Sequence, residues 1–130
     1  MTAKILIVED DPETRDFATI ILELKGYDVV IARNGREGID QARAEQPDLI
    51  VTDLRMPGLN GIDMIRQLRS QPECASVPIV VITASQMDHA QQAIRAGASR
   101  VLAKPFAPEL LRASIKELLK TSTPANVETV

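Results

Sequence analysis

Acidic, hydroxyl and basic side chains stand directly after four short apolar segments of the 130-residue chain. In chain order these residues are Glu9, Asp10, Asp11, Asp53, Thr83 and Lys104. The apolar segments are typical of strands in a parallel sheet, whose carboxyl ends share one edge, and open α/β proteins bind their ligands at that edge. We therefore expect these groups to converge on one site.

The chemistry that such a set favours is phosphoryl transfer to a carboxylate. Crowded carboxylates repel one another, and Mg²⁺ held by carboxylate oxygens, a carbonyl and water removes that repulsion. Lys104 offers a mobile point charge and Thr83 a hydroxyl donor, and both suit phosphoryl oxygens. Asp53 is the natural acceptor, because its carboxylate can attack phosphorus and form an acyl phosphate.

Each of these residues also has a purely structural interpretation. Asp11 precedes Pro12, which is typical of a helix N-cap, and the cap is the favoured role for Asp11 taken alone. Glu9 and Asp10 fit first-turn acids that a helix dipole stabilises. Taken singly, Asp53 fits the start of a turn, Thr83 the end of a strand and Lys104 a solvated loop residue. The site is favoured because an acid pair, a further acid, a hydroxyl and a lysine each follow a different predicted strand at the same edge.

The elements that must position these groups alternate along the chain as five strands and five helices. The strands are predicted at Lys4–Val8, Asp28–Ile31, Leu49–Thr52, Pro78–Ile82 and Arg100–Ala103. The helices are predicted at about residues 12–25, 35–45, 61–70, 86–96 and 107–120. The first, third and fourth strands are continuously apolar and should be central, with the other two nearer the edges. This order predicts an α/β domain, a doubly wound (βα)5 parallel sheet with right-handed crossovers.

Composition narrows the class of protein further. A chain of 130 residues with 45% hydrophobic and 2% aromatic residues supports one domain with an aliphatic core. The net charge of −3 and the scarcity of aromatic residues argue against nucleic-acid binding. The single Cys74 and single His89 exclude a disulfide within the chain and the usual zinc sites. No signal peptide or membrane span is recognisable, so we expect a cytoplasmic domain over residues 1–120 and a flexible tail over 121–130.

Four motifs together resemble the receiver domains of two-component response regulators, in particular the stand-alone, chemotaxis type. They are Ile5-Leu6-Ile7-Val8-Glu9-Asp10-Asp11, Asp48-Leu49-Ile50-Val51-Thr52-Asp53-Leu54-Arg55-Met56-Pro57-Gly58, Val80-Val81-Ile82-Thr83-Ala84 and Ala103-Lys104-Pro105-Phe106. The resemblance spans residues 4 to about 120. It implies a flavodoxin-like sheet of order 2-1-3-4-5.

The resemblance also implies a role for each site residue. A sensor histidine kinase or a histidine phosphotransfer protein would phosphorylate Asp53. Mg²⁺ would be bound by Asp10, by Asp53 and by the backbone carbonyl of Arg55, with Glu9 acting through water. Thr83 would hydrogen-bond the phosphoryl group, and Lys104 would form an ion pair with it. The bond between Lys104 and Pro105 is expected to be cis, as is usual in this family.

Three positions bear on how this chain compares with the family's pattern. Val101, three residues before Lys104, stands where the family usually has a Tyr or Phe whose ring moves inward as the hydroxyl residue shifts. Valine cannot act as that plug, so we expect switching to differ from the usual aromatic mechanism. The resemblance implies that Arg55 and Ser85, two residues past Asp53 and Thr83, border the mouth of the pocket, where the family's residues influence the lifetime of the phosphoryl group.

The function that follows is a stand-alone phosphorylation switch that acts by binding other proteins. We expect an unknown protein target, no direct contact with nucleic acid or membrane, and a monomer or weak phosphorylation-dependent dimer. It is not expected to be an enzyme beyond its own phosphotransfer and dephosphorylation. The alternative is a phosphorylation-independent scaffold with a vestigial pocket. A nucleotide-binding enzyme is disfavoured, because no Gly-x-Gly-x-x-Gly or Gly-x-x-x-x-Gly-Lys motif is present.

Overall fold

The computed structural model describes residues 2–84 and 87–122, and within them the predicted alternation of strands and helices is confirmed. The elements are β1 (Lys4–Val8), α1 (Pro12–Leu24), β2 (Asp28–Ala32), α2 (Gly35–Glu45), β3 (Leu49–Thr52), α3 (Gly61–Arg69), a short 3₁₀ helix (Pro72–Cys74), β4 (Ile79–Thr83), α4 (Met87–Ala96), β5 (Arg100–Ala103) and α5 (Pro108–Ser122). The 3₁₀ helix was not predicted.

The five strands form one parallel sheet in the order β2-β1-β3-β4-β5, so the predicted fold class is correct. The three central strands are almost entirely buried, whereas β2 and β5 are partly exposed at the edges. This agrees with the continuously apolar sequences of the first, third and fourth strands, because a strand covered by helices on both faces has no solvent side.

Two boundaries differ from the predictions in ways that matter. The fourth strand extends one residue further, so Thr83 is its last residue rather than the first residue after it. Helix α5 continues to Ser122, which places the expected boundary at residue 120 inside the helix. The rest of the predicted tail lies outside the described residues.

The core lies in two layers, one on each face of the sheet. Alternate residues of a strand point to opposite faces, so Leu6 and Val8 pack beneath α2, α3 and α4, while Ile5 and Ile7 pack beneath α1 and α5. Burying one such aliphatic side chain stabilises the fold by roughly 1.5–3 kcal/mol. The sheet is therefore a rigid platform for the loops at its carboxyl edge.

Helix starts on this edge are fixed by side-chain caps. Asp11, Asn34 and Asn60 are the N-caps of α1, α2 and α3, and each side chain accepts a hydrogen bond from the backbone N–H three residues later. Such caps satisfy backbone donors that have no partner inside the helix. No helix in the described ranges is long and apolar enough to cross a membrane.

Candidate functional site

Strand pairing brings the predicted site residues to one edge of the sheet. Val8 is the register partner of Thr52, so Glu9 and Asp53 leave neighbouring strands at the same level. The Asp53 N–H donates to the carbonyl of Val8 at 3.1 Å, which holds the two loops together. Thr83 pairs with Ala103, and the Lys104 N–H donates to the Thr83 carbonyl at 3.0 Å. The site therefore depends on the register of four strands.

Three carboxylates meet at this edge. One oxygen each from Glu9, Asp10 and Asp53 lies within 4.8 Å of the others; the Glu9 and Asp53 side chains are buried and Asp10 is exposed. Carboxylate oxygens with one open side fit a hard cation that keeps part of its water shell, as Mg²⁺ does. The residues present thus fit the predicted metal, with these three as the acidic donors.

Lys104 joins two of these acids. Its Nζ donates to Glu9 Oε1 at 3.0 Å and to Asp53 Oδ2 at 2.9 Å. Burial alone would lower the pKa of this lysine, but the hydrogen bonds and charges of Asp53 and Glu9 outweigh burial and raise it above its ordinary value. Lys104 is therefore held protonated beside the Asp53 carboxylate.

Glu9 is the acid of the site whose pKa burial changes most clearly. Desolvation raises its pKa, and the negative charge of Asp53 adds to that effect. Hydrogen bonds from Lys104 and from the Asp11 N–H act in the opposite direction without cancelling the rise. A buried carboxyl with a raised pKa is a group that a divalent cation would stabilise in its charged form.

The Asp53 carboxylate is oriented by the backbone that follows it. Its Oδ1 accepts hydrogen bonds from the N–H groups of Leu54 at 2.6 Å and Arg55 at 3.3 Å, while Oδ2 faces Lys104. Gly61 at the start of α3 packs so closely that a Cβ there would lie 2.5 Å from the Asp53 carbonyl oxygen. The contact of the Arg55 carbonyl with an ion stays a prediction.

Asp11 does not join the carboxylate cluster. Its Oδ2 accepts from the Thr14 N–H at 2.9 Å and from Thr14 Oγ1 at 2.6 Å. These two hydrogen bonds lower the pKa of Asp11, the side-chain bond contributing most. The cap interpretation is thus confirmed for Asp11, and the structure separates it from the adjacent Asp10.

Two features of the site were not predicted from the sequence. Arg15 of α1 donates from Nη1 to the Glu9 carbonyl at 3.1 Å and so supports the loop after β1. A cavity of about 700 Å³ opens beside Lys104, with Phe17 and Phe106 among its lining residues. Their rings lie 5.8 Å apart. The only signal in the sequence was the rarity of aromatic residues, which made any Phe near the loop motifs notable.

The remaining predicted positions lie around this centre. Thr83 is buried at the end of β4, next to Lys104. The Lys104–Pro105 peptide bond is cis, as the resemblance implies. Val101 is half-buried in β5 and packs against the core beneath α4, whereas Arg55 is exposed. Ser85 lies outside the described residues.

Comparison with known proteins agrees with this fold. The family model described as "Response regulator receiver domain" matches residues 5–116. The chain belongs to this family, whose members are signalling switches that histidine kinases phosphorylate and that bind Mg²⁺ at their acidic pocket.

Individual relatives differ in length. Response regulator MprA of Mycolicibacterium vanbaalenii is 39% identical over 95% of this chain and 53% of its own length. This chain spans about half the length of the relatives MprA, PhoP and MtrA that it matches. Protein PilH of Pseudomonas aeruginosa is 37% identical over 90% of this chain and 98% of its own.

Solved structures give the same result. The chemotaxis response regulator CheY4 of Vibrio cholerae has a TM-score of 0.86 and 30% identity, covering 91% of this chain and 99% of its own. A response regulator of Chloroflexus aurantiacus has a TM-score of 0.88 and 30% identity over 92% of this chain and 98% of its own. The resemblance read from the four motifs is thereby confirmed.

Proposed function

We propose that this protein is a Mg²⁺-dependent phosphoacceptor whose Asp53 receives a phosphoryl group from a histidine kinase or a histidine phosphotransfer protein. The observation that carries the proposal is the position of Lys104 Nζ, 2.9 Å from Asp53 Oδ2 and 3.0 Å from Glu9 Oε1. A protonated lysine beside a carboxylate nucleophile is placed to pair with phosphoryl oxygens after transfer.

The residues that would hold the ion are Asp10, Asp53 and the carbonyl of Arg55, with Glu9 acting through water. When bound, Mg²⁺ neutralises the acids and polarises the phosphoryl oxygens. The Asp53 carboxylate attacks phosphorus, the P–N bond to the donor imidazole breaks, and the imidazole leaves with the bonding electrons. Lys104 moves its hydrogen bonds to the new phosphoryl group. Water later cleaves the acyl phosphate to the Asp53 carboxylate and inorganic phosphate.

The signal would start at Thr83 and Lys104, because both groups gain a new anion to bind. A shift of Thr83 at the end of β4 biases the neighbouring loop and α4 toward a second arrangement that a target protein recognises. Val101 has no aromatic ring that could move inward, so the output would depend on the positions of the loop after β4 and of α4.

A phosphorylation-independent scaffold is the competing function, and Val101 is the feature that favours it. The site geometry supports the phosphoacceptor instead, since a vestigial pocket needs neither three gathered acids nor a lysine bridging two of them. Buried ionised groups that serve no purpose cost stability, which makes their retention in an unused pocket unfavourable.

The deciding experiment is incubation of the protein with Mg²⁺ and acetyl phosphate, followed by intact mass. We expect the mass of one phosphoryl group on the wild type and none on Asp53→Asn, with Asp63→Asn on α3 as the matched acidic control that still accepts phosphate. An unphosphorylated wild type would overturn the proposal and leave the scaffold. Equal phosphorylation of Asp53→Asn would overturn Asp53 as the acceptor.

A further inference from the structure

Helix α1 carries a stripe of apolar side chains that lie outside the core and stay largely exposed. Phe17, Ile20 and Leu24 are 47%, 56% and 78% exposed, whereas Ala18 and Ile21 of the same helix face the sheet. The spacing of three and then four residues is the a-d-a spacing of a coiled-coil seam. Large hydrophobic residues clustered on one exposed face mark a surface that another molecule covers.

The charges around this stripe differ at its two ends. Glu13 and Asp16 lie near the start of α1, and Lys25 caps its end. Lys25 lines one cleft of about 510 Å³ together with Arg112, Lys116 and Glu109 of α5, and Glu23 is exposed next to it. Within residues 2–84 and 87–122, none of these charged groups forms an ion pair within 4.0 Å. Arg15 lies between Glu13 and Asp16, so the face carries net negative charge at the start of α1, is apolar in the middle and carries net positive charge at the end.

A partner for this face must be apolar in the middle and carry the opposite charges at each end. A second copy of the chain meets that requirement when it is turned by a two-fold axis. Glu13 and Lys25 are about 18 Å apart along the helix axis at 1.5 Å per residue. A two-fold axis at the level of Thr19, midway between them, therefore sets the start of each α1 against the end of the other, and the contact between Glu13 and Lys25 is made twice.

We propose that two copies of this protein associate through antiparallel α1 helices, with Phe17, Ile20 and Leu24 as the seam and Glu13 facing Lys25 of the other copy. This association requires no phosphorylation and goes beyond the function proposed above. Glu13 and Phe17 also line the cavity beside Lys104, so the paired form covers one wall of the approach to the site. A seam of three side chains supports a weak dimer that forms as concentration rises.

Sedimentation equilibrium across about 10 µM to about 1 mM tests this, because a weak dimer is populated only at the upper end. We expect the average mass to rise toward that of two chains for the wild type and to stay at one chain for Ile20→Lys. Ile94→Lys on α4 is the matched control, since Ile94 is 49% exposed but lies away from α1, and it should dimerise normally. A wild type that stays monomeric throughout, or an Ile20→Lys variant that dimerises equally, would refute the interface.

Exchange of the end charges tests the antiparallel arrangement separately. Glu13→Lys and Lys25→Glu should each weaken association at least about tenfold at low salt, because each places like charges together twice. The double variant restores both contacts and should return to the wild-type dissociation constant. If the double variant is as weak as the single variants, the two copies do not pair in this orientation. Thermal unfolding of each variant confirms that the chain is folded.

Discussion

Lys104 shows how one side chain prepares a site before its ligand arrives. Its ammonium group forms a hydrogen bond with Glu9 and another with Asp53, so the two acids stay close despite their mutual repulsion. The same contacts raise the pKa of the lysine, which keeps it charged. A phosphoryl group on Asp53 would offer Lys104 a stronger anion than the free Asp53 carboxylate does.

Removing this lysine should uncouple phosphorylation from its conformational signal. We expect Lys104→Ala to accept phosphate on Asp53 but to show smaller amide shifts in α4 and β5 on adding beryllofluoride, which mimics a phosphoryl group. Heteronuclear NMR of the wild type and the variant gives the comparison. Shifts equal to those of the wild type would show that Lys104 does not transmit the signal.

The neighbouring acids Asp10 and Asp11 should behave in opposite ways. Asp10→Ala removes an ion ligand and should abolish Mg²⁺ binding in the millimolar range while leaving the fold intact. Asp11→Ala removes the cap of α1 and should lower the urea midpoint of unfolding with Mg²⁺ binding retained. Calorimetric titration and urea unfolding measure the two effects. An unchanged titration for Asp10→Ala would contradict its assignment as a ligand.

At the scale of elements, one side chain joins helix α3 to the end of α4 and to the segment before β4. The Arg69 guanidinium at the end of α3 donates to the carbonyls of Gly97, Cys74 and Val77, joining α3 to the end of α4 and to the approach to β4. At the other end of α3, Gly61 lies against the backbone of Asp53. The helix therefore connects the loop after β3, which contains Asp53, to the region expected to move.

Gly61 is the position where this connection is most sensitive. A Cβ there would lie 2.5 Å from the Asp53 carbonyl oxygen and 2.6 Å from Leu54 Cα, both backbone atoms that cannot turn away. We expect Gly61→Ala to destabilise the fold by about 1–3 kcal/mol and to displace Asp53. Gly58→Asn is the control, because a Cβ at Gly58 meets nothing within 4 Å and Asn tolerates its positive φ. Equal unfolding midpoints for the two variants in urea would refute the crowding.

At the scale of the whole molecule, the ionised Glu9 of the acidic site lowers the free energy of unfolding. The raised pKa of Glu9 means that the folded chain holds this proton more tightly than the unfolded chain. The stabilising contribution is complete below the ordinary pKa of 4.5 and is lost as the pH rises through the higher pKa in the folded protein. At neutral pH the charged Glu9 therefore costs stability, which a bound cation would offset.

Thermal unfolding with and without Mg²⁺ should reveal this balance. We expect Mg²⁺ to raise the midpoint at about pH 7.5 and to raise it much less at about pH 5, where protons compete for the carboxylates. Asp10→Ala should show little rise at either pH. The same rise at both pH values would mean that Mg²⁺ acts elsewhere on the protein.

Much of the site could be predicted because the strands of a parallel sheet end on a common edge. Residues next to a strand end, such as Asp53 and Lys104, have positions that follow from the strand itself. Arg15 was missed because its contact with Glu9 depends on where α1 packs on the sheet. The exposed stripe on α1 was missed for a related reason: an apolar residue at helical spacing is usually assigned to the core, and only packing shows which face is left over.

The sequence alone determined the chemical groups available, the order of the elements and the edge at which those groups would gather, because these follow from local periodicity and strand direction. The tertiary structure decided which of the adjacent acids enters the site. Asp10 points toward Glu9 and Asp53 while Asp11 turns to its helix. That choice depends on the path of a short loop between a strand and a packed helix, and distances of a few ångströms between segments far apart in the chain are set only when the strands pair.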